Sequence, residues 1–181
     1  MKKQFIATLV VLVLSSLVFG QNSRMGTSSS TQLLIIPGAR YLSGGGAVAT
    51  ATGMDAVFWN PAGLSMGENS VDVIFSNRQY IADIQNSFFG IATGLGDYKL
   101  GVSVRTFTVG DIDETTVFFP DGTGQVFTPN FSVIGGTLSR KLSDNTSVGV
   151  NANLVRESFG RVSASGSSFD LGVQYKGLLG M

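Results

Sequence analysis

The stretch "YKLGVSVRTFTV", residues 98–109, decides the fold class because its side chains alternate with a period of two. Apolar and β-branched residues recur at every second position, which is typical of a β-strand with two different faces. One face carries Tyr98, Leu100, Val102, Val104, Thr106 and Thr108, and the other carries Lys99, Gly101, Ser103 and Arg105. This segment is therefore predicted to be a strand with one apolar and one polar face.

The same alternation recurs on both sides of this stretch. It is clear in "TSVGVNANLVRE" (146–157) and "SSFDLGVQYK" (167–176), and weaker in "VDVIFSNRQ", "NSFFGIATGL" and "FSVIGGTLSRKL". Aromatic, β-branched and glycine residues with turn punctuation favour strands over helices. The sequence predicts an all-β, antiparallel fold with six strands, at about 70–79, 87–95, 98–109, 131–142, 146–158 and 167–176.

The predicted connections alternate in length. Residues 96–97 and 143–145 are expected to be tight turns, whereas residues 80–86, 110–130 and 159–166 are expected to be longer loops. If consecutive strands pair antiparallel, the tight turns lie at one end and the long loops at the other, as in outer-membrane barrels. A soluble β-sandwich or a lipocalin-like barrel would also alternate, so the strands alone leave that alternative open.

Aromatic residues near the predicted strand ends are candidates for the girdles that membrane barrels carry at their two interfaces. These candidates are Tyr98, Phe107, Phe131, Phe159, Phe169 and Tyr175.

Composition argues against an enzyme. The 181 residues include no cysteine and no histidine, so disulfides, the commonest metal ligands and the usual neutral-pH general base are all missing. Twelve basic residues match 12 acidic ones, which gives no reason to expect a nucleic-acid partner. We predict that the protein is not an enzyme and needs no cofactor or metal.

Two short motifs were weighed against this prediction. The glycine run at 44–46 lacks the Lys-Ser/Thr of a phosphate-binding loop. The acidic stretch "DIDE", residues 111–114, offers oxygen ligands for calcium but lacks the glycine and distal glutamate of an EF-hand loop. A solvated acidic loop is the favoured interpretation, and Asp113 and Glu114 are the only candidates for an enzymatic carboxylate.

The first twenty residues have the features of a secretory signal peptide. Lys2 and Lys3 precede the apolar run "FIATLVVLVLSSLV", and small residues precede Gln21. Both lysines would leave with the signal, so the mature chain would carry a net charge of −2. We expect an exported protein, with residues 21–35 as an N-terminal linker.

The segment "AVFWNPAGLS", residues 56–65, holds the only tryptophan and one of four prolines. Asn60-Pro61 and Gly63 are turn residues, because proline fixes φ and restricts the residue before it. The sequence therefore predicts a shaped loop around Trp59.

A second loop motif is "FFPDGTGQVF", residues 118–127, in which Pro120-Asp121-Gly122 is a turn between apolar flanks. Long loops are often binding loops, so this predicted hairpin is the best external contact candidate, although a loop that merely covers a barrel mouth fits equally well. The candidate contact residues are Phe118, Phe119, Asp121 and Phe127.

Residues 36–65, "IPGARYLSGGGAVATATGMDAVFWNPAGLS", followed by strands, resemble the PorV/PorQ family within the FadL-like group of outer-membrane proteins. The resemblance extends weakly through the strands to about residue 176. The motif residues that carry it are Gly44, Gly45, Gly46, Asp55, Trp59, Asn60, Pro61 and Gly63.

The resemblance implies an architecture. Residues 36–66 would form a hatch, or plug, inside a barrel, with Trp59 against the wall, and residues 67–181 would form the N-terminal part of that barrel. The family's barrels have about fourteen strands, and even the smallest single-chain barrels have about eight, so six strands indicate an N-terminal fragment.

The resemblance also implies a location and a function. The protein would lie in the cell outer membrane, in contact with outer-membrane lipid. It would act either as a component of type IX secretion that meets other secretion components and exported cargo proteins, or as a FadL-like channel for hydrophobic solutes. A soluble secreted β-sandwich that acts as a binding module remains the alternative from another class.

Overall fold

The structure, a computed structural model, describes residues 35–37, 40, 51–80, 83–160 and 162–177. The predicted signal peptide, residues 21–34 of the predicted linker, and Gly44, Gly45 and Gly46 lie outside these residues. Within the described part of the chain, no helix is both long enough and apolar enough to cross a bilayer.

Six strands form one antiparallel sheet in the order β1-β2-β3-β6-β7-β8, and two short strands form a separate pair. The strands are β1 (Val71–Gln79), β2 (Gln85–Leu95), β3 (Tyr98–Thr108), β4 (Ile112–Asp113), β5 (Val126–Phe127), β6 (Asn130–Ser143), β7 (Thr146–Phe159) and β8 (Val162–Tyr175). The prediction of an all-β antiparallel fold is confirmed. The sheet is not closed, since β1 and β8 are its two edges.

Two predicted loops differ from the structure. Residues 159–166 were expected to be a long loop, but Phe159 pairs with Val162, and β8 begins five residues earlier than predicted. The small residues 163–168 have no apolar alternation, which hid this half of the strand. As a result, one of the three connections at that end of the sheet is short, and the expected contrast between the two ends is incomplete.

The hairpin in the long loop is larger than predicted. Ile112 pairs with Phe127 and Asp113 with Val126, so the hairpin spans residues 112–127 rather than 118–127. Two bonds between the Glu114 backbone and residues 123 and 125 extend it toward its tip. The alternation of only two residues in each strand is too short to be recognised in the sequence.

The two faces of the six-stranded sheet differ in chemistry and in exposure. The open face carries large apolar side chains that are exposed, among them Val73, Phe75, Val102, Leu154 and Leu171. The covered face carries small or polar side chains that are buried, among them Ala92, Ser103, Thr137, Ser139 and Ser147. The strand faces that alternation predicts are thus present, but the polar face is the covered one.

The six aromatic residues proposed for a girdle lie on both faces of the sheet. Tyr98, Phe169 and Tyr175 lie on the open face and are exposed. Phe131 is 2% exposed on the covered face, and Phe107 and Phe159 share its side of their strands by alternation. Phe169 lies halfway along β8 rather than at its end.

The covered face is occupied by residues 51–67, which we call the docked segment. It contains two short 3-10 helices, Gly53–Phe58 and Pro61–Met66. The first helix contacts β1 and β2, and the second contacts β3, β6, β7 and β8. The loop predicted around Trp59 is therefore two helical turns joined at Trp59 and Asn60.

Candidate functional site

The candidate site is the interface between the docked segment and the covered face of the sheet. At its centre, Asn60 caps the second helix: its side-chain Oδ1 accepts a hydrogen bond from the Ala62 amide at 3.1 Å. Pro61 occupies the first helical turn, where its missing N–H costs nothing. The Asn60 amide nitrogen Nδ2 also donates to the Val173 carbonyl of β8 at 3.0 Å. The Asn-Pro pair therefore both shapes the segment and ties it to the sheet.

Two serines of the sheet hold the backbone of the second helix. Ser139 Oγ and Ser147 Oγ donate to the Ala62 carbonyl at 3.0 and 2.7 Å, and both serines are fully buried. Ser65 adds a bond from its amide to Ser139 Oγ at 3.2 Å. These bonds satisfy a helix carbonyl and two buried hydroxyls that would otherwise be costly to bury.

Glycines let the backbone of the docked segment touch the sheet. A Cβ atom added to Gly149 would lie 2.4 Å from the Pro61 carbonyl carbon, and one added to Gly172 would lie 2.0 Å from Asn60 Oδ1. On the segment side, a Cβ at Gly63 would lie 2.2 Å from the Ala51 carbonyl oxygen. Only residues without a side chain fit at these three positions.

On the other side of the segment, the contact is apolar. Met54, Val57 and Leu64 form a buried cluster with Ala92 of β2, and Ile74 of β1 packs against them. Gly90 and Gly101 make room for the tips of Met54 and Leu64 rather than for backbone.

A buried ion pair lies beside this cluster. Lys99 Nζ is 2.6 Å from Asp72 Oδ2, with 4% and 11% of the two side chains exposed. Lys99 Nζ also donates to the Asn69 carbonyl at 2.8 Å, and Asn69 Nδ2 donates to Asp72 Oδ1 at 3.0 Å. The pair is thus supported by further hydrogen bonds, as a buried charge requires.

Ile36 and Pro37, which precede the docked segment, lie at the end of the sheet that carries Asn86 of β2. The Ile36 carbonyl accepts from Arg78 at 2.9 Å, and the Pro37 carbonyl accepts from Ser76 Oγ at 2.8 Å. Asp55 accepts from Arg40 at 3.3 Å, although the Arg40 side chain is largely exposed. Asp55 therefore contributes a contact within the N-terminal region rather than one to the sheet.

Trp59 lines a cavity of about 280 Å³ between the docked segment and the sheet. Its ring meets Phe58 edge-on, with centroids 4.7 Å apart, and Arg105 lies over the Phe58 ring at 5.0 Å. The opposite wall is polar: Asp170 Oδ2 accepts from Asn151 Nδ2 at 3.1 Å and from Asn153 Nδ2 at 3.0 Å. The cavity therefore has an aromatic wall and a wall of polar side chains that are hydrogen-bonded to each other.

The predicted external contact residues lie at two places in the hairpin, its tip and its base. Phe118 is 88% exposed at the tip, with Phe119 and Asp121 exposed beside it. Phe127 lies at the base instead, where its ring packs against Phe159 with centroids 5.0 Å apart. In the acidic stretch, Thr128 Oγ1 donates to Asp111. Among the described residues, no three His, Cys, Asp or Glu side chains form a group that could hold a metal ion.

The sequence indicated the residues that the docked segment contributes to this interface but not those that the sheet contributes. Gly149 and Gly172 lie in the predicted strands but were not singled out, and neither were Ser139, Ser147 or the Asp72–Lys99 pair. A signal was present, because "SVGVN" and "DLGVQ" place a glycine at the same point of two neighbouring strands. Such paired glycines indicate close approach of another backbone.

Comparison with known proteins gave no match: no family model, curated protein or solved structure is detectably similar to this chain.

Proposed function

We propose that this chain forms part of the wall of an outer-membrane β-barrel, with the docked segment as its hatch. The observation that carries the proposal is the inverted chemistry of the sheet. A water-soluble sheet buries its apolar face and exposes its polar face, whereas here the covered residues are mostly small or polar, apart from Phe88, Phe131 and Val133, and most large apolar residues of the sheet are exposed. Lipid outside and a plug inside explain both faces at once.

The dimensions of the open face support a membrane location. From Val148 to Leu154, six residue steps of apolar side chains correspond to about 20 Å along the strand, near the band of about 25 Å that barrels present to lipid. Beyond the apolar band, the strand ends nearest the hairpin carry polar residues on the open face, among them Gln79, Gln85, Thr106, Arg156 and Ser165. Tyr98 and Tyr175 lie at the opposite end, as interfacial aromatics do.

The proposal requires further strands between the edges β8 and β1, because six strands are fewer than the about eight of the smallest barrels. Unpaired N–H and C=O groups at an edge are not tolerated in lipid, so closure is a condition of the proposal and not an addition to it.

The substitution Leu171→Arg tests the membrane location. Leu171 is 84% exposed, so an arginine there should be almost neutral in water, but in lipid it should cost about 2–4 kcal/mol. The measurement is a denaturant titration of the protein, together with the strands that close the sheet, refolded into phospholipid vesicles. Ser165→Arg, on the same face of β8 but outside the apolar band, is the matched control and should cost about 1 kcal/mol or less.

Equal, small costs for the two variants would contradict the proposal. Loss of the wild-type protein from the membrane fraction on carbonate washing would contradict it as well, and would favour the soluble β-sandwich, in which a second sheet covers the open face.

Within this architecture, we propose a role of the PorV/PorQ type in type IX secretion. Support comes from the sequence resemblance and from the hairpin 112–127, whose tip offers Val117, Phe118 and Phe119 to solvent. Exposed apolar residues on a loop tip are suited to contact another protein. Retention of exported cargo in cells that lack this protein is the expected phenotype, and unchanged secretion would contradict the role.

A channel for hydrophobic solutes is the second candidate. The cavity of about 280 Å³ beside Phe58 and Trp59 favours it, because it lies between the hatch and the wall. Uptake of a radiolabelled apolar solute into vesicles that contain the protein would separate this function from secretion.

A further inference from the structure

Arg140 is a cation on the open face, beside the apolar band, at the end of the sheet that carries the tight turns. Tyr98 and Val148 are its cross-strand partners in β3 and β7. Its guanidinium carbon lies 4.9 Å from the centroid of the Tyr98 ring, a cation–π contact that fixes its position. Arg140 is exposed, and no carboxylate among the described residues forms an ion pair with it.

An open, apolar groove of about 490 Å³ begins at this pair. The strand register places Leu138, Val150 and Leu171 in one row across β6, β7 and β8, next to the row that contains Arg140. Val148 and Val173 complete the walls. The groove therefore has hydrocarbon along its length and a single positive charge at one end.

From this juxtaposition, and resting on the proposed membrane location, we infer that the groove binds one anionic phospholipid. The Arg140 guanidinium holds the phosphate, and an acyl chain lies against Leu138, Val150 and Leu171. A guanidinium matches phosphate because its planar fork donates two parallel hydrogen bonds. The tyrosine marks the level of the lipid headgroups, and the long arginine side chain reaches that level while its stem stays on apolar surface.

Arg156 provides a matched comparison on the same face. It is also exposed, but it lies toward the other end of β7, and its cross-strand partners are Ser132 and Ser165. It does not line the groove. Both arginines therefore place a positive charge on the open face, but of the two only Arg140 lies beside the apolar groove.

The experiment uses the protein refolded into detergent micelles that contain equal amounts of phosphatidylglycerol and phosphatidylcholine. Native mass spectrometry then counts the molecules of each lipid that stay bound. Both lipids carry a phosphate that Arg140 can bind, but the choline cation of phosphatidylcholine is repelled by the guanidinium, so the wild type should retain phosphatidylglycerol over phosphatidylcholine by about fivefold. Arg140→Gln should bring the ratio close to one, and Arg156→Gln should leave it unchanged.

A phosphatidylglycerol preference that survives in Arg140→Gln, or that disappears equally in Arg156→Gln, would overturn the site. Displacement of the lipid by excess inorganic phosphate would also overturn it, because the groove would then contribute nothing. Insertion into vesicles is measured separately for the wild type and for Arg140→Gln. A wild type that inserts but shows no lipid preference refutes only this inference, whereas a wild type that does not insert refutes the membrane proposal itself.

Discussion

The docked segment is held to the sheet in two different ways on its two sides. Over β1–β3, side chains make the contact: Met54, Val57 and Leu64 form an apolar cluster with the sheet, and the Asp72–Lys99 ion pair of the sheet lies beside it. Over β6–β8, the backbone of Pro61 and Ala62 lies against Gly149, the Asn60 side chain lies against Gly172, and hydrogen bonds end on main-chain carbonyls. Side-chain tips can move to accommodate a change, but backbone in contact with backbone cannot, so the second side should tolerate less new volume.

The largest effect is expected where the first side depends on charge. Asp72→Ala would leave the Lys99 ammonium group buried with, among the described residues, only the Asn69 carbonyl as a partner, at a cost of about 3–5 kcal/mol. Denaturant titration of the refolded protein measures this cost. The double variant Asp72→Ala/Lys99→Met removes both charges and should recover most of the loss. A single-variant cost below about 1 kcal/mol would mean that water reaches Lys99 and that the pair beside the segment is not buried.

The second effect tests the backbone contact directly. Gly149→Ala would place a methyl group within 2.4–2.5 Å of three backbone atoms of Pro61 and Ala62, so the segment must shift. Overpacking of this kind costs about 1–3 kcal/mol. Limited proteolysis should then cut the docked segment faster, while the sheet remains intact.

Gly136→Ala is the control for that variant. Gly136 lies on the open face of β6, and a methyl group there would have no neighbour within 4 Å. The stability and the proteolysis rate should match the wild type. An equal loss in both variants would show that strand propensity, and not the contact with Pro61, is responsible.

The smallest effect is expected at Gly90, on the apolar side. A Cβ at Gly90 would lie 2.3 Å from Met54 Cε, which is the free end of a flexible side chain. Methionine repacks easily, so Gly90→Ala should cost about 1 kcal/mol or less, measured by the same denaturant titration. A cost equal to that of Gly149→Ala would remove the difference between the two sides.

The sequence predicts the strands well where the alternation is long and clean. Residues 98–108 and 146–159 form strands almost as expected, with the expected faces. The alternation does not predict the strand at residues 162–168, because a strand of serine, alanine and glycine has no apolar period. The alternation does not predict β4 and β5 either, because each has only two residues and they form only two residue pairs.

The site was predictable only in part, for a physical reason. Asn60, Pro61 and Gly63 carry local turn chemistry, which a sequence displays directly. Their partners Ser139, Ser147, Gly149 and Gly172 are defined by what approaches them from a distant part of the chain. Whether a polar strand face meets water or another segment is not encoded in its alternation, so only the resemblance, which implies a hatch inside a barrel, indicated that this face is covered.

The two sides of the docked segment also differ in the length of chain that their contacts close. On the first side, the apolar cluster joins Met54 to Ala92, 38 positions later in the chain, whereas the Ala62–Ser147 and Asn60–Val173 bonds span 85 and 113 positions. Loops of that length are slow to close, and their contacts form only after the intervening strands exist. During folding, the segment can contact β1–β3 early, but Asn60 can bond to the Val173 carbonyl only after β8 has formed. The docked segment, which precedes every strand of the sheet in the chain, is therefore among the last parts of the molecule to reach its final position.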